Sequence, residues 1–393
     1  MRIVARRVDA PLADAPVTML ELFFDLVFVF VVTQLAGLVG ASSSWVGYAH
    51  AGMVLLVTWW IYDGFVWLSN NVTPTTTATR VPMLIAMTCF LAMASSVTTV
   101  FGASAWVFAA AYLLVVGIHA FQFSRSSLGV SWRGIRRIAP VNFGVAGLLF
   151  VAAALGPVWG WTAWVTAILL LVIAGLRRFS YFTLRAEHFA ERHRLLVIIA
   201  LGETVVAVGV ATNGRLFQFD VLAAFLEAMV VITTLWWTYF GVGDDVRGLR
   251  AVEGAAPEFQ TGLASRAYSL WHVLHVAGLV LVAVALDDIL RDPGSPLPWS
   301  PAVAFATGVA LFMLGQSLFR RTLTVGSGRL HLAAGIAMLA IAPLGVFVAG
   351  FVQLAVSTGV LVLFVALLQR QRNPDARTVI AQGSVELDRG PCP

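Results

Sequence analysis

The stretch from Leu20 to Val39 reads LELFFDLVFVFVVTQLAGLV. About 20 helical residues span the roughly 30 Å hydrocarbon core of a bilayer, so this run is long enough and apolar enough to cross as one helix. Its first two turns nevertheless carry Glu21 and Asp25. A carboxylate at the centre of such a helix costs about 2.5–3.5 kcal/mol on insertion scales, and less near an end. Residues kept at that cost usually face the bundle interior, pair with a partner, or line a path for an ion or solute. Helical spacing puts Glu21 and Asp25 on one face, continued by Val32 and Ala36, with Gln34 on the opposite side.

The rest of the chain repeats the pattern. Hydrophobic residues make up 59% of the 393 positions and charged residues 11%, against about 25% charged in a soluble domain. Apolar runs of spanning length fall near 20–39, 46–68, 81–101, 104–123, 138–156, 158–176, 195–213, 219–241, 266–286, 301–319, 330–348 and 350–369. They are too long for barrel strands, so the expected fold is all-α, a polytopic membrane bundle of about twelve helices. On this parse every basic residue except Arg215 and Arg291 falls on one side. The positive-inside rule puts that side, with both termini, in the cytoplasm. Trp45, Tyr48, Trp67, Trp106, Trp159, Trp161 and Trp299 fall near span ends as expected interfacial anchors. The run after the N-terminus is too long and too acidic for a cleavable signal peptide. The two cysteines, Cys89 and Cys392, form no disulfide framework or metal spacing.

Two segments read alike: WWIYDG at 59–64, late in the second run, and WWTYFG at 236–241, late in the eighth. The next runs open with Thr79-Arg80 and Ser265-Arg266, and Gln122 with Arg125 is echoed by Gln316 before Arg320. The chain therefore reads as two parallel six-helix repeats, a transporter plan. The expected division is a cytoplasmic segment at 1–18, repeats at 19–178 and 195–369, a cytoplasmic connector at 179–194, and a disordered tail at 370–393.

The chemistry-bearing residues are polar groups inside the runs. Asp63 and Arg80 fall at a depth close to that of Asp25, so Glu21, Asp25, Asp63 and Arg80 are expected to cluster, either as an ion-pair network pinning helix ends or as the mouth of a path. Glu203 lies mid-run in LVIIALGETVVAVGV. It is a candidate proton or cation site, with Gly202 expected to admit a neighbouring helix. Glu227, Thr234 and Thr238 form one polar stripe, and Tyr112, His119, Gln122 and Ser126 another. His272 and His275 are three apart and could share a metal, but no third ligand is identifiable, so no metal is expected. The segment EHFAERH, from Glu187 to His193, reads as a solvated, salt-bridged interfacial helix. Acids gathered around a hydrated space between two like-facing bundles would be the basis of transport. No P-loop, GxSxG, HExxH or dinucleotide fingerprint occurs, and no cofactor is implied. The arginine-rich loops reflect membrane orientation, so no nucleic-acid partner is implied. The expected partners are the lipid bilayer and a small solute, proton or monovalent cation, with the oligomeric state open.

The run from Glu21 through Phe24 and Asp25 to Phe30, followed by Thr33-Gln34-Leu35, resembles the opening signature of the bacterial low temperature requirement A (LtrA) family. The segment Glu191-Arg192-His193 with Ile198 to Gly202-Glu203 looks like that family's second signature, with Arg194 where a glycine is usual. The resemblance implies an integral protein of the bacterial inner membrane linked to growth in the cold, and it places emphasis on Glu21, Asp25, Arg192, His193 and Glu203. A fainter likeness, Phe23-Phe24-Asp25 against the Phe-Ser-Asp first-helix signature of two-repeat potassium channels, departs at Phe24 and lacks a second-half counterpart, Leu195 standing there. The reading favoured by the repeat and Glu203 is a secondary transporter or permease. The alternatives are an ion channel, or an intramembrane enzyme acting on lipids through Glu203 with His119, His272 or His275.

Overall fold

The computed structural model describes residues 16–42, 44–125, 129–176 and 182–372. Among these the fold is all helical, with α1 (Met19–Ser42), α2 (Trp45–Asn71), α3 (Thr77–Ser96), α4 (Ala105–Ser124), α5 (Gly129–Leu176), α6 (Ala186–Thr212), α7 (Phe219–Trp236), α8 (Asp244–Glu253), α9 (Pro257–Ala264), α10 (His272–Arg291), α11 (Trp299–Thr322), α12 (Arg329–Phe347) and α13 (Gly350–Arg372). Single π-helical turns at Trp237–Gly241 and Ser265–Leu270 follow α7 and α9. Eleven of the resulting helical stretches are long and apolar enough to cross a membrane. The parts of the chain expected at 1–15 and 373–393, with Ser126 and Cys392, lie outside the described residues.

The stretch Gly134–Gly175 holds 42 residues, about 63 Å if straight. It is not straight. Gly156 has φ 70° and ψ −174°, a conformation open essentially to glycine alone. Pro157 follows, where a missing N–H suits the first turn of a new helix. A Cβ added to Gly160 would lie 2.6 Å from the carbonyl oxygen of Ala152, although positions eight apart in an unbroken helix are separated by about 12 Å. The stretch is thus two arms folded at Gly156, which is where the sequence reading places two runs.

The chain forms two compact units. The first comprises the chain up to Leu38, Tyr48–Ile199 and Leu249–Leu270; the second comprises Val39–Gly47, Ala200–Gly248 and the chain from Trp271 onward. The first unit has an aromatic core in which Phe24 stacks on Phe65 at 5.0 Å and meets Phe90 edge-on at 5.1 Å, while Phe28 stacks on Tyr62 at 4.1 Å. In the second unit α10 and α11 touch backbone to backbone. A Cβ on Gly278 would come within 2.5 Å of the Gly308 carbonyl oxygen, and one on Gly308 within 2.7 Å of that of Gly278. Such small-residue contacts are how membrane helices gain packing without a hydrophobic drive between them.

Large apolar side chains such as Leu84, Ile85, Leu114, Leu169, Val206, Val210, Ile336 and Leu363 point outward. In water so many would be an aggregation hazard; in a bilayer they are the lipid-facing surface. Trp45, Trp106, Trp159, Trp161 and Trp299 are exposed, as interfacial anchors should be. Trp67 is the exception. It is buried, and its indole N–H donates to Ser269 Oγ at 3.2 Å.

Candidate functional site: a buried ion cluster

The largest departure from expectation is the start of α6. The segment EHFAERH is not a solvated interfacial helix, because α6 already begins at Ala186 and buries His188, Phe189, Arg192 and His193. Helical spacing explains why: Ala-x-x-Phe-Ala and Leu196-Val197 continue an apolar face onto which these side chains fall. Arg192 is 0% exposed, the largest fully buried side chain described.

Around Arg192 the first unit assembles three helices. From α1, Asp25 meets its guanidinium with both oxygens: Arg192 Nε donates to Oδ2 at 3.0 Å, and Nη2 pairs with Oδ1. One turn earlier, Glu21 Oε1 lies 3.5 Å from Arg192 Nη1 and 3.1 Å from His188 Nε2. Glu21 Oε2 accepts from the Thr18 backbone N–H and hydroxyl, both at 2.7 Å, as in a helix N-cap. From α2, the Tyr62 hydroxyl donates to Asp25 Oδ1 at 2.7 Å, and Ser69 Oγ accepts from Arg192 Nη1 at 3.0 Å. His193, beside Arg192, holds its Nε2 3.4 Å from Asp63 Oδ1 while its Nδ1 is 2.9 Å from the Phe189 carbonyl.

The rungs of this ladder ascend together. Glu21 faces His188 and, four residues on, Asp25 faces Arg192. Helices α1 and α6 therefore run in the same direction. A second set of bonds locks α6 onto the end of α2. Arg185 Nε and Nη2 donate to the carbonyls of Asn70 and Ser69, each at 2.8 Å, and the Asn70 amide exchanges two 2.9 Å bonds with the Arg185 backbone. Carbonyls that a helix end leaves without partners are satisfied here by an arginine, a usual device at a C-terminus.

The expected cluster of Glu21, Asp25, Asp63 and Arg80 is corrected in its cation. Arg80 is exposed, and its Nε donates to the Pro74 carbonyl at 3.0 Å; Arg192 takes the place proposed for it. Arg80 opens α3 near the helix end, where a long side chain reaches solvent more cheaply than a buried partner. Arg266 is likewise exposed, with its Nε on Gly262 O at 3.2 Å. His119 is buried with Nε2 3.0 Å from the Gly64 carbonyl, and Gln122 donates to Thr79 O at 3.3 Å. Gln34 is half-buried, and Phe24 belongs to the aromatic core. Glu191 is half-buried on α6 beside Arg192. Gly202 does not receive a neighbouring helix: it is exposed, with no atom within 4 Å of an added Cβ.

The remaining candidates belong to the second unit. Glu203 and Glu227 are half-buried, and Glu227 Oε2 is shielded from water with no hydrogen-bond partner. Thr234 is buried and its carbonyl accepts from the Thr238 hydroxyl at 2.8 Å. His272 Nε2 lies 2.7 Å from the Tyr239 hydroxyl, and His275 Nε2 lies 3.2 Å from Gln316 Oε1. Gln316 in turn donates to Asp244 Oδ2 at 2.9 Å, and Asp244, fully buried, pairs with Arg320 Nη1 at 2.6 Å and with Arg247. Sequence reasoning named neither Asp244 nor Arg320 as a site residue. Among the described residues no three His, Cys, Asp or Glu side chains are arranged to hold a metal ion.

Helices of membrane length with a buried ionic cluster between them define a multi-pass helical membrane protein. The chain belongs to the bacterial low temperature requirement A protein (LtrA) family, whose model matches residues 16–366. It is also 26% identical over 372 residues to the uncharacterized protein RA0937 of Rhizobium meliloti (strain 1021), covering 88% of this chain and 87% of that protein. No solved structure matches it.

Proposed function

We propose that the chain is a proton-coupled secondary transporter of the bacterial inner membrane, linked to growth in the cold, with the Arg192 cluster as its protonation switch. The observation that carries this reading is the cluster's charge inventory. Two carboxylates, Glu21 and Asp25, share the Arg192 guanidinium, the His188 imidazole stands against Glu21, and the His193 imidazole, next along α6, stands against a third carboxylate, Asp63. With both imidazoles protonated the six groups are neutral; with both neutral they carry two net negative charges. A purely structural pair could be replaced by apolar residues at little loss. Titratable groups kept inside spanning helices commonly serve proton or ion pathways.

The parallel run of α1 and α6 supports twelve passes. With α5 crossing once, the four helices between α1 and α6 would make four crossings and set the two antiparallel; two arms folded at Gly156 make five, the odd number that a parallel pair needs. Both termini then lie on the arginine-rich, cytoplasmic side. The two-repeat plan gains support from Tyr62 and Tyr239, equivalent positions of the two aromatic motifs, each buried with its hydroxyl on an ionisable side chain. The channel reading rests on Phe23 and Asp25, and Asp25 is bound here by Arg192 and Tyr62.

The test is reconstitution into vesicles with a trapped pH-sensitive dye, under a clamped membrane potential, with inward gradients of small solutes and monovalent cations. At least one gradient should drive proton movement, and Asp25→Asn should lower the coupled rate at least 10-fold in protein that remains folded. Proton movement unaffected by that substitution would remove the cluster from the mechanism.

A further inference from the structure

The polar cluster at the start of α8 and the end of α11 has the opposite charge balance from the Arg192 site and a surplus of donors. Asp244 is fully buried, and both its oxygens are already engaged: Oδ1 by Arg247, Oδ2 by Gln316 at 2.9 Å and Arg320 at 2.6 Å. Each guanidinium still has donors to place. Arg247 Nε and Arg320 Nε are both shielded from water and have no acceptor, and the same is true of Ser317 Oγ and His331 Nε2. His331 lies within electrostatic reach of Arg320 and Asp244. Two arginines on one carboxylate leave one positive charge over, and burying charge and donors without partners is costly.

The surrounding backbone keeps side chains away from this spot. The turn after α11 passes through Thr324 (φ 54°) and Gly328 (φ 67°). A Cβ on Gly326 would collide with the Arg320 guanidinium, and one on Gly328 with Ser317. The site is open on one flank, where the Arg247 side chain is 36% exposed, and Arg321 and Arg329, close in the chain to Arg320 and His331, are exposed.

We propose that Arg247, Arg320, His331 and Ser317 form a phosphate-binding site, its ligand either the headgroup phosphate of an anionic phospholipid or free inorganic phosphate. A phosphate oxygen accepts from guanidinium edges in the fork geometry that arginine offers. A tetrahedral anion with several acceptors can satisfy donors that one carboxylate leaves without partners. The exposed Arg321 and Arg329 would draw anionic headgroups toward this part of the second unit. The site does not depend on the transport reading.

The test uses the purified full chain, stripped of lipid in mild detergent. One arm titrates short-chain phosphatidylglycerol and counts bound molecules by native mass spectrometry; the other titrates inorganic phosphate by calorimetry. Saturable binding of one molecule in either arm is expected, and the arm in which it occurs identifies the source. Arg247→Lys keeps the charge and removes the Nε donor, so it should weaken binding at least 5-fold. His331→Ala, which leaves Asp244 untouched, should weaken it about 3-fold, and Arg321→Gln at its exposed position less than 2-fold. Absence of saturable binding in both arms overturns the proposal. So does an Arg321→Gln loss equal to that of Arg247→Lys, which would mark diffuse surface attraction.

Discussion

In the first unit one guanidinium, Arg192, stands among Glu21, Asp25 and, through its neighbour His193, Asp63; in the second, one carboxylate, Asp244, stands between Arg247 and Arg320. The two clusters use the same chemistry with the sign of the excess reversed. Each is organised around its minority charge: Arg192 holds Glu21, Asp25 and Ser69, and Asp244 holds Arg247, Gln316 and Arg320. The difference lies in access. Arg192, Glu21 and Asp25 are all sealed, whereas Arg247 reaches solvent. Losing the minority charge should therefore cost more in the first cluster than in the second, because nothing but protein surrounds the groups left behind.

Six substitutions sharpen or break that comparison. Arg192→Ala strands two buried carboxylates and should destabilise the protein by about 3–5 kcal/mol in denaturant unfolding in detergent. Asp244→Ala strands two guanidiniums of which one is part-solvated, so about 2–3 kcal/mol is expected; a cost above that of Arg192→Ala would reverse the ranking. Tyrosine to phenylalanine separates the clusters more finely. Tyr62→Phe removes a donor to a carboxylate and should cost about 1.5–3 kcal/mol, against about 0.5–1.5 kcal/mol for Tyr239→Phe, whose partner is an imidazole. At the bottom of the scale, Arg80→Gln and Arg266→Gln should each fall within about 0.5 kcal/mol of wild type, as exposed positions do. A large effect at Arg80 would restore it to the cluster.

Much of the fold is readable from hydropathy alone, since membrane helices are long, apolar and uniformly patterned. The α5 stretch shows where reading by run length and reading by helix differ: Gly156-Pro157 breaks φ and removes an N–H without interrupting the apolar run. Half of the ion cluster is also legible. Glu21 and Asp25 announce themselves as acids in an apolar helix. Their cation does not, because Arg192 sits in a segment with enough Glu, His and Arg to read as solvent-facing. The signal was the spacing. His188 and Arg192 are four apart, as are Glu21 and Asp25, so the two pairs can form parallel rungs. Asp244 escaped for a related reason. It follows Gly243 at a turn, next to Asp245, where acids are commonplace; only the fold reveals that it alone is sealed among arginines. Glu203 carried the weight of the sequence reading, yet it is half-buried and belongs to the second unit, as Glu227 does. Glu21 and Asp25 are held by Arg192 within the first unit.

The most direct test of the account is the paired substitution Asp25→Asn with Arg192→Gln. It removes the central ion pair without leaving a charge at position 25 unpaired, so the fold should survive with a loss well below that of Arg192→Ala. In reconstituted vesicles the folded double variant should show solute movement uncoupled from protons. Proton-coupled flux at the wild-type rate in that variant would contradict the assignment of the cluster as the switch.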